Sequence, residues 1–229
     1  MFDRGNFLPM LRVILSTRMM PVKCLLLIDI QNGFCTGGNL AVPEGEAVVP
    51  VANRLISEGG YDLIVASQDW HPADHGSFAS QHPGKAPFEL GTLGGKPQMM
   101  WPDHCVQGSE DAEFHPDLAV SAFNHVQRKG MNVEVDSYSA FRDNDRAALT
   151  GLSDFLKKQN IDRLDIAGLA TDYCVKFSAL DAKEMLPGVT VRFIEDASRG
   201  ITPDGVKQAV DEMTKAGIQV VTSDEVLAA

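Results

Sequence analysis

Residues 164–186 constrain the fold more than any other stretch. An apolar run from Leu164 to Ala167 stops at Gly168. Thr171-Asp172 follows, then Cys174, then Val175, Ala179, Ala182 and Leu186 at helical spacing. This pattern predicts a buried strand, a tight turn and an amphipathic helix. Thr171 or Asp172 is a suitable N-cap, which puts Cys174 in the first helical turn. Free backbone N–H groups and the positive end of the helix dipole there would favour thiolate over thiol.

The rest of the chain repeats this alternation. Strands are expected at Val22–Ile30, Leu63–Ser67, Ala122–Gln127, Val189–Ile194 and Ile218–Val221. Helices are expected from Val48, Ala52, Leu55 and Ile56, from Ala148, Leu149, Leu152, Phe155 and Leu156, and from Val206, Val210 and Met213. Near-continuous apolar strands separated by helices indicate a parallel sheet covered on both faces. The expected architecture is therefore α/β, three layers (α/β/α) around a six-stranded, mostly parallel, Rossmann-like sheet, in one domain spanning residues 21–229. Residues 1–20 read as an extension outside that core. Asp3, Pro9 and Arg12 interrupt their apolar character, and no small-residue cleavage site follows.

In open parallel sheets the site lies beyond the carboxyl ends of the strands, near the switch in strand order. Four strands here end in reactive groups: Asp29, Asp69 with His71, Lys129, and Cys174. Scattered surface charge has no reason to collect there. Asp29 ends a wholly apolar strand, where a carboxylate is costly unless paired or used; beside a thiol it could take and return a proton. Lys129 would favour the anionic forms of both. A phosphatase-type C-x₅-R loop is excluded, because Leu180 stands where the Arg belongs.

Asp69-x-His71 with His104 offers one carboxylate and two imidazoles, the ligand set of an open zinc or iron site. His75 is a further ligand or a supporting partner. The long Gly/Pro/Gln-rich stretch Pro72–Cys105 has the length of a functional loop. Phe34, Trp101 and Tyr138 lie in loops that could reach the same mouth and would suit a flat aromatic substrate.

A net charge of −11 and the lack of a basic stripe argue against a nucleic-acid partner. No apolar run has the roughly 18 residues of a membrane span. Four scattered cysteines without a C-x-x-C pair point to a reducing compartment, hence the cytoplasm.

The stretches LLLIDIQNGFCTGGNLAVPEG, ASQDWHPADHGSFASQHPG, WPDHCVQGS, RKG, VDSYSAF and GLATDYCVKF, spread from Leu25 to Phe177, resemble the bacterial nicotinamidases (pyrazinamidases) among the isochorismatase-like cysteine hydrolases. The resemblance implies hydrolysis of nicotinamide to nicotinate and ammonia, as used in NAD salvage, and of pyrazinamide to pyrazinoate. It implies a triad of Asp29, Lys129 and Cys174, and one divalent metal, zinc with iron or manganese as alternatives, on Asp69, His71 and His104. It also implies a cis peptide at Leu169–Ala170, with the N–H groups of Ala170 and Cys174 as the oxyanion hole. Phe34, Trp101 and Tyr138 fall where relatives sandwich the pyridine ring. One departure is Gly33, where relatives usually carry Asp; it bears on loop rigidity rather than on the chemistry.

Three other readings are weighed. Another amide or enol-ether hydrolase of the same family fits less well, since many such relatives lack the metal residues. Intact Asp29, Lys129 and Cys174 disfavour a non-catalytic binding module. A structural metal site should be closed by four protein ligands.

Overall fold

A computed structural model describes residues 21–228; the extension expected over 1–20 lies outside them. The strands are β1 (Lys23–Ile28), β2 (Leu63–Asp69), β3 (Leu90–Leu93), β4 (Lys96–Met99), β5 (His125–Lys129), β6 (Arg163–Leu169), β7 (Thr190–Arg199) and β8 (Gln219–Val221). The α-helices are α1 (Val48–Glu58), α2 (Leu152–Lys158), α3 (Lys176–Met185), α4 (Pro203–Lys215) and α5 (Ser223–Leu227).

Six strands form the central sheet in the order β5-β2-β1-β6-β7-β8. Every pairing in it is parallel. The period-two alternation of β1 explains the layers. Cys24, Leu26 and Ile28 face a core with Leu152, Leu156, Val175, Ala179 and Met213 of the α2–α4 side. Leu25 and Leu27 face the opposite core, with Val48, Ala52, Leu55 and Val226 of α1 and α5. Both faces are thus covered, and the strand order reverses between β1 and β6.

Two runs read as apolar carry charges. Asp165 lies in β6 and Arg192 in β7, and the parallel register sets them side by side. Asp165 is fully buried. It accepts 2.6 Å hydrogen bonds from Arg192 Nε and Nη2 and one of 2.7 Å from Tyr61 Oη.

Other differences concern short or exposed elements. β3 and β4 form a separate antiparallel hairpin inside the stretch expected to be an irregular loop. Helix α2 begins at Leu152, leaving Ala148 and Leu149 outside it. α5 was not expected; a Thr222–Glu225 capping box starts it.

Candidate active site

β1 and β6 lie next to each other at the strand-order reversal, so the residues that follow them meet beyond the sheet edge. β2 and β5 continue the row and add Asp69 and Lys129. The four strand ends therefore converge as expected.

Lys129 is the hub. Its ammonium donates to Asp69 Oδ1 at 2.6 Å, to the Ser137 carbonyl at 3.0 Å and to Cys174 Sγ at 3.5 Å. It also lies 3.0 Å from Asp29 Oδ2. That approach is an ion pair off the hydrogen-bonding direction, so Oδ2 has no hydrogen-bond partner. Asp29 Oδ1 accepts from Ser67 Oγ at 2.7 Å. Asp29 has φ of +48°, a conformation few non-glycine residues adopt. All three residues are buried.

Electrostatics follow from that burial. It raises the Asp29 carboxyl above its ordinary range; Lys129 and Ser67 oppose the rise and Asp69 adds to it. For Asp69 burial pushes upward too, but Lys129, His71 and His104 outweigh it and hold the carboxyl well below its usual range. Lys129 loses by desolvation and gains more from Asp29 and Asp69, so it stays charged.

Cys174 departs from expectation in two ways. Its turn is not a capped α-helical first turn. Thr171–Val175 is a π-helical turn with Ala170 at its start and no side-chain cap, and Val175 N donates to Ala170 O at 3.1 Å. The Asp172 carboxylate turns away and accepts from Ile201 N and Thr202 N. The surroundings of the sulfur also favour thiol rather than thiolate. Burial pushes the thiol well above its ordinary value; Lys129 opposes this, while Asp29 and Asp69 reinforce it. The helix-end argument fails because the sulfur is desolvated beside two carboxylates. An oxygen of each carboxylate and the sulfur lie within 4.8 Å of one another. A thiol beside a carboxylate of raised pKa is a starting point for proton transfer on substrate binding.

Asp69, His71 and His104 also converge. Asp69 Oδ2 lies 3.6 Å from His71 Nε2 and 3.9 Å from His104 Nε2. His71 Nδ1 pairs with the Gly130 carbonyl and His104 Nδ1 with the Pro102 carbonyl, both at 2.8 Å. A carbonyl only accepts, so each Nδ1 carries a proton, which turns each Nε2 toward Asp69 and leaves it able, in the neutral ring, to offer a lone pair to a cation. This donor set fits a divalent cation with open positions. Gly130 has a further part: a Cβ there would lie 2.4 Å from His71 Cε1. His75 belongs to a different group, with His71 and Asp136. Its Nδ1 meets Ser77 Oγ at 2.8 Å and its buried Nε2 has no partner.

Above these groups lies a small, largely apolar cavity, and Phe34, Trp101 and Tyr138 all line it. So do Asp69, His104, Ala170 and Cys174. Aromatic walls of this kind suit a flat ring. Trp101 packs edge-on to Tyr173, ring centroids 5.0 Å apart, and donates to Tyr138 Oη at 3.3 Å. Sequence reasoning missed Leu40, Val42, Asp136, Tyr173 and Ile201 in this lining. Tyr173 was within reach of it, being the residue before Cys174; Ile201 was not, because β7 runs on to Arg199 and delivers the next loop to the mouth. The Leu169–Ala170 peptide is cis, as the resemblance implied.

Comparison with known proteins agrees with this geometry. The isochorismatase domain matches residues 23–225. The chain is 53% identical to the nicotinamidase of Escherichia coli K12 over 207 residues, covering 89% of this chain and 96% of that protein. A nicotinamidase/pyrazinamidase structure from Acinetobacter baumanii superposes with a TM-score of 0.85 at 41% identity, covering 91% of this chain and 100% of that one. The pyrazinamidase of Pyrococcus horikoshii, solved in complex with zinc, gives 0.71 at 35% identity over 88% of this chain and 99% of that one. The chain belongs to the isochorismatase domain family.

Proposed function

We infer that this protein is a nicotinamide amidohydrolase, releasing nicotinate and ammonia, and that it also accepts pyrazinamide. The observation that carries this is Lys129, whose ammonium reaches Asp29, Asp69 and Cys174 at once beneath an aromatic-lined cavity.

Asp29 accepts the Cys174 proton as the substrate arrives, and Lys129 holds both groups in place. The sulfur attacks the carboxamide carbon. The N–H groups of Ala170 and Cys174 receive the developing oxyanion. Protonated Asp29 gives its proton to departing ammonia, and water, deprotonated by Asp29, then cleaves the thioester to nicotinate. Phe34, Trp101 and Tyr138 hold the ring. Asp69, His71 and His104 would hold one divalent cation, zinc first, with iron and manganese as alternatives. That ion would supply fixed positive charge and Lewis acidity at the floor of the cavity. Four free, buried cysteines support a reducing compartment such as the cytoplasm. No helix among the described residues is long and apolar enough to cross a membrane.

The test is ammonia release from nicotinamide, with and without a chelator, alongside metal analysis of Asp69→Ala/His71→Ala. The expected result is turnover that the chelator suppresses and added metal restores, with metal lost from the double variant. Turnover of another small amide but not of nicotinamide would favour a different amidohydrolase of the same family. Stoichiometric metal in the double variant would overturn the ligand assignment.

A further inference from the structure

Asp111 stands outside the triad, the metal residues and the cavity lining, yet it fastens the backbone between two of them. Its Oδ2 accepts from Cys105 N at 2.7 Å and its Oδ1 from Asn39 N at 3.0 Å. Cys105 follows His104 directly and has φ of +46°. Its carbonyl accepts from His71 N at 3.0 Å. One peptide unit on either side of Cys105 thus links His104 to His71, and the Asp111 carboxylate holds its N–H end. The Asn39 contact fixes the other loop: Asn39 Nδ2 reaches back to the Asp103 carbonyl at 2.9 Å, and Leu40 N donates to Gly33 O at 2.9 Å. Phe34 and Leu40, which line the cavity, flank this knot.

Gly33 completes the arrangement. A Cβ on residue 33 would lie 2.6 Å from Asp111 Oδ2 and 2.9 Å from both the Asp111 carbonyl and Cys105 Sγ. The carboxylate of residue 111 therefore fills the space that a side chain on residue 33 would enter. With that carboxylate absent, an acid carried on residue 33 would reach the same two N–H groups from the other loop.

We propose that Asp111 is a positioning residue for His104, His71 and the Phe34–Leu40 wall, and that Gly33 and Asp111 form an exchangeable pair in which one carboxylate must sit on one loop or the other. This rests on the reading of Asp69, His71 and His104 as a metal centre.

The experiment compares wild type with Asp111→Gly, Gly33→Asp and the double variant Gly33→Asp/Asp111→Gly. The zinc affinity of each apo protein is measured against a competing chelator, and kcat and KM for nicotinamide are measured on the loaded forms. Removing support from behind metal ligands typically weakens metal binding by about 10- to 100-fold, and that loss is expected for Asp111→Gly, together with a raised KM. Gly33→Asp alone should do at least as badly, because two carboxylates then compete for one place. The double variant should recover zinc affinity and KM to within about threefold of wild type, well inside the loss that removing such support brings. Recovery of this kind distinguishes a shared positioning role from general loop damage, even where Gly33→Asp fails to fold. Unchanged zinc affinity in Asp111→Gly, or a double variant no better than Asp111→Gly, would overturn the proposal with the metal centre left standing. A wild type that binds no zinc would overturn the metal centre and the proposal together.

Discussion

Two buried carboxylates on the same sheet have opposite surroundings. Asp165, on the middle of β6, meets both nitrogens of the Arg192 fork and the Tyr61 hydroxyl, each at 2.6 to 2.7 Å. Asp29, just past the end of β1, has one hydroxyl on Oδ1 and an ammonium off the hydrogen-bonding direction on Oδ2. Both are fully buried. The first has its charge compensated by a geometry that leaves nothing over. The second keeps an unused lone pair beside a thiol, and burial raises its affinity for a proton. Buried charge serves structure where it is fully paired and chemistry where its pairing is left incomplete.

Substitutions can separate the two. The largest effect is expected at the incomplete pair: Cys174→Ala and Asp29→Asn should each lower kcat by about 10⁴-fold or more, as for other covalent catalytic units, with thermal unfolding close to wild type. At the complete pair the consequence reverses. Asp165→Ala strands the buried Arg192 guanidinium and should cost about 3–5 kcal/mol of stability in denaturant unfolding, with kcat per folded molecule unchanged. A drop in kcat without loss of stability would erase the distinction.

The pH profile sharpens it further. Asp29 must be ionised to take the Cys174 proton, and its pKa lies above the ordinary 3.8. The acid limb of kcat/KM should therefore fall at a higher pH than an exposed carboxylate would give, with activity lost as pH drops through it. An acid limb at or below 3.8 would remove Asp29 as the base. Tyr61→Phe, which deletes one of Asp165's partners, should cost about 1 kcal/mol and leave the profile unmoved. The smallest effect belongs to the exposed carboxylate of Glu184, which pairs with the buried Arg142 and the exposed Arg146. Their hydrogen bonds lower its pKa to about 2 from 4.5. A lowered pKa stabilises the fold above the unfolded value, so this contribution is full above 4.5 and disappears as pH falls toward 2. Glu184→Gln should cost less than about 1 kcal/mol at neutral pH.

The same contrast explains what was legible in the sequence. Asp29, Asp69, Lys129 and Cys174 stood out because each stands at or shortly after an expected strand end, and a parallel sheet brings such ends together. Asp165 and Arg192 were hidden inside such runs; only the register of β6 against β7 shows that they cancel. The β3–β4 hairpin escaped notice because its half-exposed strands carry no apolar alternation, the one buried side chain being the polar Gln98, although Gly94-Gly95 marks its turn. The direction of the Cys174 shift was hidden for a related reason: helix-end electrostatics are local and readable, whereas burial and the charges of Asp29 and Asp69 depend on strands far apart in the chain. Asp111 was invisible for the same reason, since its partners Asn39 and Cys105 belong to two different loops.

The central claim is that the Cys174 sulfur, relieved of its proton by Asp29, bonds to the substrate. The most direct test mixes excess enzyme with nicotinamide, quenches in acid within the first turnover and examines the peptides by mass spectrometry. The account predicts a nicotinoyl thioester on the peptide containing Cys174, forming no later than nicotinate appears and much more slowly in Asp29→Asn. Nicotinate formed at full rate with no acyl group on Cys174, or an acyl group on another residue, would contradict it.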